Sequence, residues 1–225
     1  MKREAKRRKL VNEPIAIIKV GSPPQNSHVH KSFLCQASPF FRAALEGSFK
    51  ESADSVVHLP QDESSTFDRF LGWVYWKEYD VMDLVKGKSN KDYWSVIIHD
   101  HIFADKIQVE GFQNHIMNAV IGAYKTLELK PMGLESVLEI YTHTPESCPL
   151  RKLALTLYEC VTPDWFQTPA ALNGLKRVPQ FAAELVQKLA GSGRTKKDFR
   201  TLRAEDFYDK RDRNADAACG GMERS

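Results

Sequence analysis

Apolar and polar positions along the 225-residue chain follow the period of a strand at first and the period of a helix afterwards. Ile15-Ala16-Ile17-Ile18-Lys19-Val20 is a β-branched run between Pro14 and the turn residues Gly21-Ser22-Pro23-Pro24, which predicts a strand. Ser27-His28-Val29-His30 predicts a second strand pairing with the first. Phe33, Leu34, Ala37, Phe40, Phe41, Ala44 and Leu45 then recur at steps of three and four. They keep to one side of a helical path that breaks at Ser38-Pro39, and so many bulky groups on one side predict a core hairpin of two helices. The polar run Lys50-Glu51-Ser52-Ala53-Asp54 reads as a loop, and Ser55 to Leu59 as a third short strand that stops at Pro60.

Helical spacing dominates the rest. Ser64-Ser65-Thr66 offers hydroxyls to cap a helix whose apolar face is Phe67, Phe70, Leu71, Val74 and Tyr75. Asp80 to Tyr93 is polar and holds Gly87, and it reads as a long exposed loop. Trp94, Ile97, Ile98, His101, Ile102 and Asp105 share the face of a second helix. Val109, Phe112, Ile116, Met117, Val120, Ile121 and Tyr124 mark a third. Beyond Pro131, the stripe Leu134, Val137, Leu138, Tyr141 and the stripe Leu150, Leu153, Ala154, Leu157, Val161 predict a helical pair broken at Pro145 to Pro149. Trp165 and Phe166 are placed near its end, and Phe181, Leu185 and Leu189 mark one more amphipathic helix over Gln180 to Leu189. Residues 1–13 and 191–225 are charged and lack periodicity, so both read as disordered tails.

The length admits one domain, or one domain with a small extension, and a chain of this size buries roughly 70% of its unfolded surface without disulfide or metal. The net charge of +3 is too small to imply a nucleic-acid partner for the folded body. Cysteines stand at 35, 148, 160 and 219 with no CxxC pair, the pattern of reduced, intracellular thiols. No stretch reaches the roughly 18–20 apolar residues of a membrane span, and the charged first residues are not followed by the apolar run of a secretory signal. Lys6-Arg7-Arg8-Lys9 is a cationic run of the kind that serves nuclear import or a weak nucleic-acid contact.

Candidate chemistry is sparse. His28 and His30 point to one face of a strand, which is how a metal site can start, but no Cys or carboxylate stands at ligand spacing beside them. His99 and His101 fall on different faces of a helix, with His101 on the core stripe. Cys35 lies among apolar residues, a setting for a structural thiol and not for a thiolate nucleophile. Cys148 and Cys160 flank no histidine pair. Gly191-Ser192-Gly193-Arg194-Thr195-Lys196-Lys197 departs from phosphate-loop spacing and reads as a linker. No isolated carboxylate pair suggests acid–base work, so the expectation is a chain without catalytic residues, cofactor or metal.

Four segments in order carry a resemblance: His30-Lys31, Ser38-Pro39-Phe40-Phe41, Val57-His58-Leu59-Pro60, and Phe103-Ala104-Asp105-Lys106. Together they resemble the BTB/POZ domain, in its fungal form, over about residues 14–125. Ser147-Cys148-Pro149-Leu150-Arg151-Lys152-Leu153 resembles the helical extension that follows fungal BTB domains, placed here at residues 126–190. The resemblance implies an α+β fold, with a small three-stranded sheet flanked by helical hairpins and followed by additional helices. It implies an intracellular scaffold or adaptor that binds protein partners and has no chemistry of its own. Two surfaces follow from it: a self-association face at Phe33, Phe40, Phe41 and Leu45, and a docking element for a cullin scaffold of ubiquitin ligases. The second rests on the hydrophobic-x-glutamate form of Trp76-Lys77-Glu78. The alternative reading is a nuclear, nucleic-acid-associated regulator that works through its basic tails.

Overall fold

The structure, a computed structural model, describes residues 13–48, 50–79, 89–127, 131–191 and 201–208. Three strands form one sheet in the order β2-β1-β3. Ile15–Val20 (β1) pairs antiparallel with Gln25–His30 (β2), from Ile15 opposite His30 to Val20 opposite Gln25. It pairs parallel with Val56–Leu59 (β3), from Ile17 opposite Val56 to Val20 opposite Leu59. A tight turn suffices between antiparallel neighbours, whereas the parallel pair needs a long crossover. That connection runs through β2 itself and then the helical hairpin Lys31–Ala37 (α1) and Pro39–Glu46 (α2), with the short helix Lys50–Asp54 (α3) before β3. The polar run read as a loop is thus a turn and a half of helix. Strand alternation puts Ala16, Ile18, Val20, Val29, Val57 and Leu59 on the inner face, each almost fully buried. Ile15, Ile17 and His28 take the other face.

Ser38 explains why the chain breaks between α1 and α2. Its extended backbone ends α1, and its hydroxyl accepts the Phe41 N–H at 3.2 Å as the N-cap of α2. Pro39 occupies the first turn, where its missing N–H costs no bond. The same hydroxyl donates to the Ile107 carbonyl at 2.6 Å, 69 residues away, and Ser38 is fully buried.

Ser64–Trp76 (α4) follows. Its buried arc is Thr66, Phe67, Phe70, Trp73 and Val74, while Leu71 and Tyr75 are half-buried. The expected face is therefore turned slightly, because Trp73 supplies more apolar surface than Leu71. Asn90–Lys106 (α5) and Glu110–Leu127 (α6) form the next hairpin. α5 opens inside the stretch read as a loop, so Tyr93 is a buried helical residue; Asp105, expected on the buried face, is exposed. All seven apolar positions named for α6 and its approach are buried.

The residues divide into two compact units. The first comprises Met1–Tyr79 with Phe103–Phe112, and the second Asp80–Ile102 with Gln113–Ser225. At the centre of the first, Phe70 lies within 6.3 Å, ring centre to ring centre, of Phe41, Phe67, Trp73, Phe103 and Phe112. Each such pair adds about 0.5–1.5 kcal/mol beyond the area it buries.

The second unit continues with Leu134–His143 (α7), Pro149–Glu159 (α8), the 3-10 turn Pro163–Gln167, Pro169–Arg177 (α9) and Pro179–Gly191 (α10). α9 has no counterpart among the sequence expectations. Thr168 caps it by accepting the Ala171 N–H, with Pro169 in its first turn. Leu150, Leu153, Ala154 and Leu157 are fully buried on α8. Arg151 on the same helix is also buried. Its guanidinium lies 4.4 Å from the Tyr141 ring centre and donates to the Tyr141 and Thr144 carbonyls at the end of α7. Residues 201–208 correct the reading of a structureless C-terminal tail. Phe207 is buried, Lys152 reaches its ring and the Asp206 carbonyl, and the Tyr208 hydroxyl donates to Asn118 at 2.6 Å. A few buried side chains and two hydrogen bonds fasten a segment that has no periodicity.

Candidate protein interface

Large apolar side chains at the surface are few, and in the first unit the ones that stand out are Ile15, 43% exposed, and Trp76, 68% exposed. Single exposed apolar groups are ordinary, so the question is whether these belong to a patch. Contacts join them. Ile15 is the β1 partner of His30, so both side chains take the same face of the sheet. The His30 N–H donates to the Tyr75 hydroxyl at 3.1 Å, and that hydroxyl lies 2.8 Å from His30 Nδ1. A tyrosine hydroxyl that accepts from the amide can donate to the ring nitrogen, which satisfies both groups when Nδ1 carries no proton. Phe33 stacks on Tyr75 with centres 4.9 Å apart, and Tyr75 meets Trp76 at 5.5 Å. Ile15, His30, Phe33, Tyr75 and Trp76 therefore make a continuous, largely aromatic surface. Its inner members are braced by hydrogen bonds and ring packing.

The helix end aims Trp76 outward. Lys77 takes the left-handed conformation at φ 59°, and its N–H closes α4 on the Trp73 carbonyl. Its ammonium folds back over the buried Trp73 ring, 3.7 Å from the centre, and burial lowers its pKa from the ordinary lysine value. Glu78 is exposed. The structure thus separates the three residues expected to form a docking element: Trp76 joins the aromatic surface, Lys77 belongs to the packing of Trp73, and Glu78 faces solvent.

The four residues expected to self-associate divide as well. Phe41 and Leu45 are fully buried, because they face β3 and the α4 aromatics, and they have no surface to offer a partner. Phe33 and Phe40 are half-buried and keep exposed edges. Lys6, Arg7, Arg8 and Lys9 lie outside the described residues, as does Cys219.

The remaining polar candidates are absorbed locally. The Cys35 thiol is pushed up by burial and then by the nearby Glu46, the reverse of what a nucleophile needs, and it points to the Phe41 carbonyl. The Cys160 thiol donates to the Thr156 carbonyl one turn earlier in α8. His99 pairs with Glu139 at 2.8 Å. Among the described residues no group of three or more His, Cys, Asp or Glu side chains is placed to hold a metal, and no helix is long and apolar enough to cross a membrane.

Residues 16–97 match the model of the BTB/POZ domain family, from within β1 to within α5. The chain carries a BTB/POZ domain. No curated protein matches the chain. A BTB/POZ domain at residues 16–97 supports a protein-interaction module, and the small three-stranded sheet with helices is consistent with its α+β fold. Sequence reasoning names Trp76, which the structure shows exposed, through the hydrophobic-x-glutamate form. It missed Ile15, and it treated His30 and Tyr75 as separate features, because the register that joins them is a tertiary fact.

Proposed function

We propose that this chain is an adaptor of the fungal BTB type with a helical extension, and that it docks a cullin scaffold through the aromatic surface that ends in Trp76. The supporting observation is the exposed indole, which stands on the braced Tyr75–Phe33 pair and continues to Ile15. A large exposed aromatic beside a braced aromatic surface is the type of residue that concentrates binding energy when a partner covers it. Phe33 and Phe40 are the residues through which the module would self-associate.

The test uses the purified full chain, captured on an immobilised cullin, with light scattering for its own mass. Wild type binds at micromolar concentration, and Trp76→Ala lowers affinity at least about thirtyfold, the cost of a hot-spot truncation of about 2 kcal/mol. A strict monomer that retains no cullin, or a Trp76→Ala protein that binds as wild type does, removes the reading.

A further inference from the structure

The second unit contains a cavity of about 620 Å³ bounded by the start of α7, the end of α8, the 3-10 turn after it, and α9. Its walls are mostly apolar: Met132, Tyr158, Val161 and Trp165 face it and Leu134 closes one side, while Glu135, Asn173 and Arg177 are the polar members of the lining. Each wall is held by something other than the cavity's contents. The Tyr158 hydroxyl donates to the Met132 carbonyl at 2.9 Å, and the Tyr158 ring packs edge-on against Trp165 at 5.3 Å. Gly174 lets α9 approach Leu134 so closely that a Cβ there would overlap the Leu134 side chain. At the rim Arg177 grips Glu135 with both of its terminal nitrogens, tying α9 to α7. A volume braced in this way is pre-formed, and it falls in the range of about 300–1,000 Å³ typical of sites for whole small molecules.

We infer that this cavity binds a small, uncharged aromatic molecule of about two fused rings, with any polar end directed at the Glu135–Arg177 rim. A volume of about 620 Å³ admits a two-ring molecule together with its substituents. The walls select the charge state: the one ion pair at the rim is already matched, so a charged ligand would carry an uncompensated charge against apolar surface. Trp165 and Tyr158 supply faces and edges for ring packing.

The probe is Prodan, an uncharged naphthalene ketone whose emission shifts to the blue in apolar surroundings, titrated into the full chain. A saturable one-to-one shift is expected, with Kd on the order of 10 μM. Ala170 lies on the exposed first turn of α9 and lines the cavity, so Ala170→Trp fills it from outside the core and weakens binding at least about tenfold. Naphthalene sulfonate, the charged comparison, binds at least about tenfold more weakly than Prodan. No saturable shift overturns the proposal. So does an Ala170→Trp protein of wild-type helicity that keeps wild-type affinity, a sulfonate that binds as tightly as Prodan, or a Prodan signal that Trp76→Ala removes instead. If Ala170→Trp loses its helicity, Trp165→Ala decides: unchanged affinity without that wall overturns the site.

Discussion

Ser38→Ala should cost far more than the loss of one small polar side chain suggests. Its hydroxyl serves two backbone groups, accepting from the Phe41 N–H and donating to the Ile107 carbonyl. Losing an N-cap typically costs about 1 kcal/mol. Leaving a buried carbonyl without its donor costs about 1–3 kcal/mol more. The two bonds go to different backbone groups and one substitution removes both, so the losses sum to an expected destabilisation of about 2–4 kcal/mol. In a chain of this length each kcal/mol lowers Tm by about 2–4 °C, which gives a drop of about 5–15 °C. Urea unfolding followed by tryptophan fluorescence measures the free energy, and amide exchange at Phe41 reports whether the α2 cap has opened. Ser65→Ala is the control: that exposed hydroxyl donates only weakly to Glu63, and its loss should stay within about 0.5 kcal/mol. A Ser38→Ala protein within about 0.5 kcal/mol of wild type, with Phe41 still protected, would refute the two-sided role of the hydroxyl.

Arg151→Lys keeps the charge but loses the planar fork that reaches the Tyr141 and Thr144 carbonyls together, so a loss of about 1.5–3 kcal/mol is expected from urea unfolding. Phe70→Ala empties the centre of the aromatic cluster and should cost about 3–5 kcal/mol, read from the same transition. Burial pushes the hydroxyls of Tyr93, Tyr124, Tyr141 and Tyr158 up, and at Tyr141 the neighbouring Glu184 adds to the effect. Groups whose pKa rises on folding contribute stability that is fully present below the unfolded tyrosine value of about 10 and is lost as pH climbs beyond it. Absorbance of tyrosinate should therefore appear late and together with loss of helicity. Reversible ionisation of these four near pH 10 with helices intact would contradict their burial.

Elements with strong periodicity were legible. The β1 run, the Phe33–Leu45 hairpin and the α6 stripe were placed because one face of each is buried by bulky side chains. The failures occur where something other than period decides. α3 is polar and short, and its helicity follows from its place between α2 and β3. α9 had its signal in Thr168-Pro169, a cap followed by a proline in the first turn, without an apolar stripe to point it out. Residues 201–208 are held by scattered contacts of Leu202, Phe207 and Tyr208 that follow no period. Trp76 was legible as a surface candidate, but which of its neighbours share the patch depends on the His30–Tyr75 bond across 45 residues. Phe41 and Leu45 were misassigned to a partner surface because spacing identifies a face and cannot tell whether the chain or a partner covers it. The cavity left no trace in the sequence, since its walls come from four separate segments.

The bond from Ser38 to Ile107 also sets an order of events during synthesis. The first unit is discontinuous: Phe103, Ile107 and Phe112 complete the core begun by Phe41 and Phe70, and residues 80–102 between them belong to the other unit. A nascent chain that ends at residue 97, where the family match stops, has made its sheet strands and α4 but not the segment that caps their aromatic cluster. Until about fifteen further residues emerge, Phe70 and Trp73 remain open to solvent and to chaperones. Fragments cut for study at the edge of the family match would keep that exposed surface permanently.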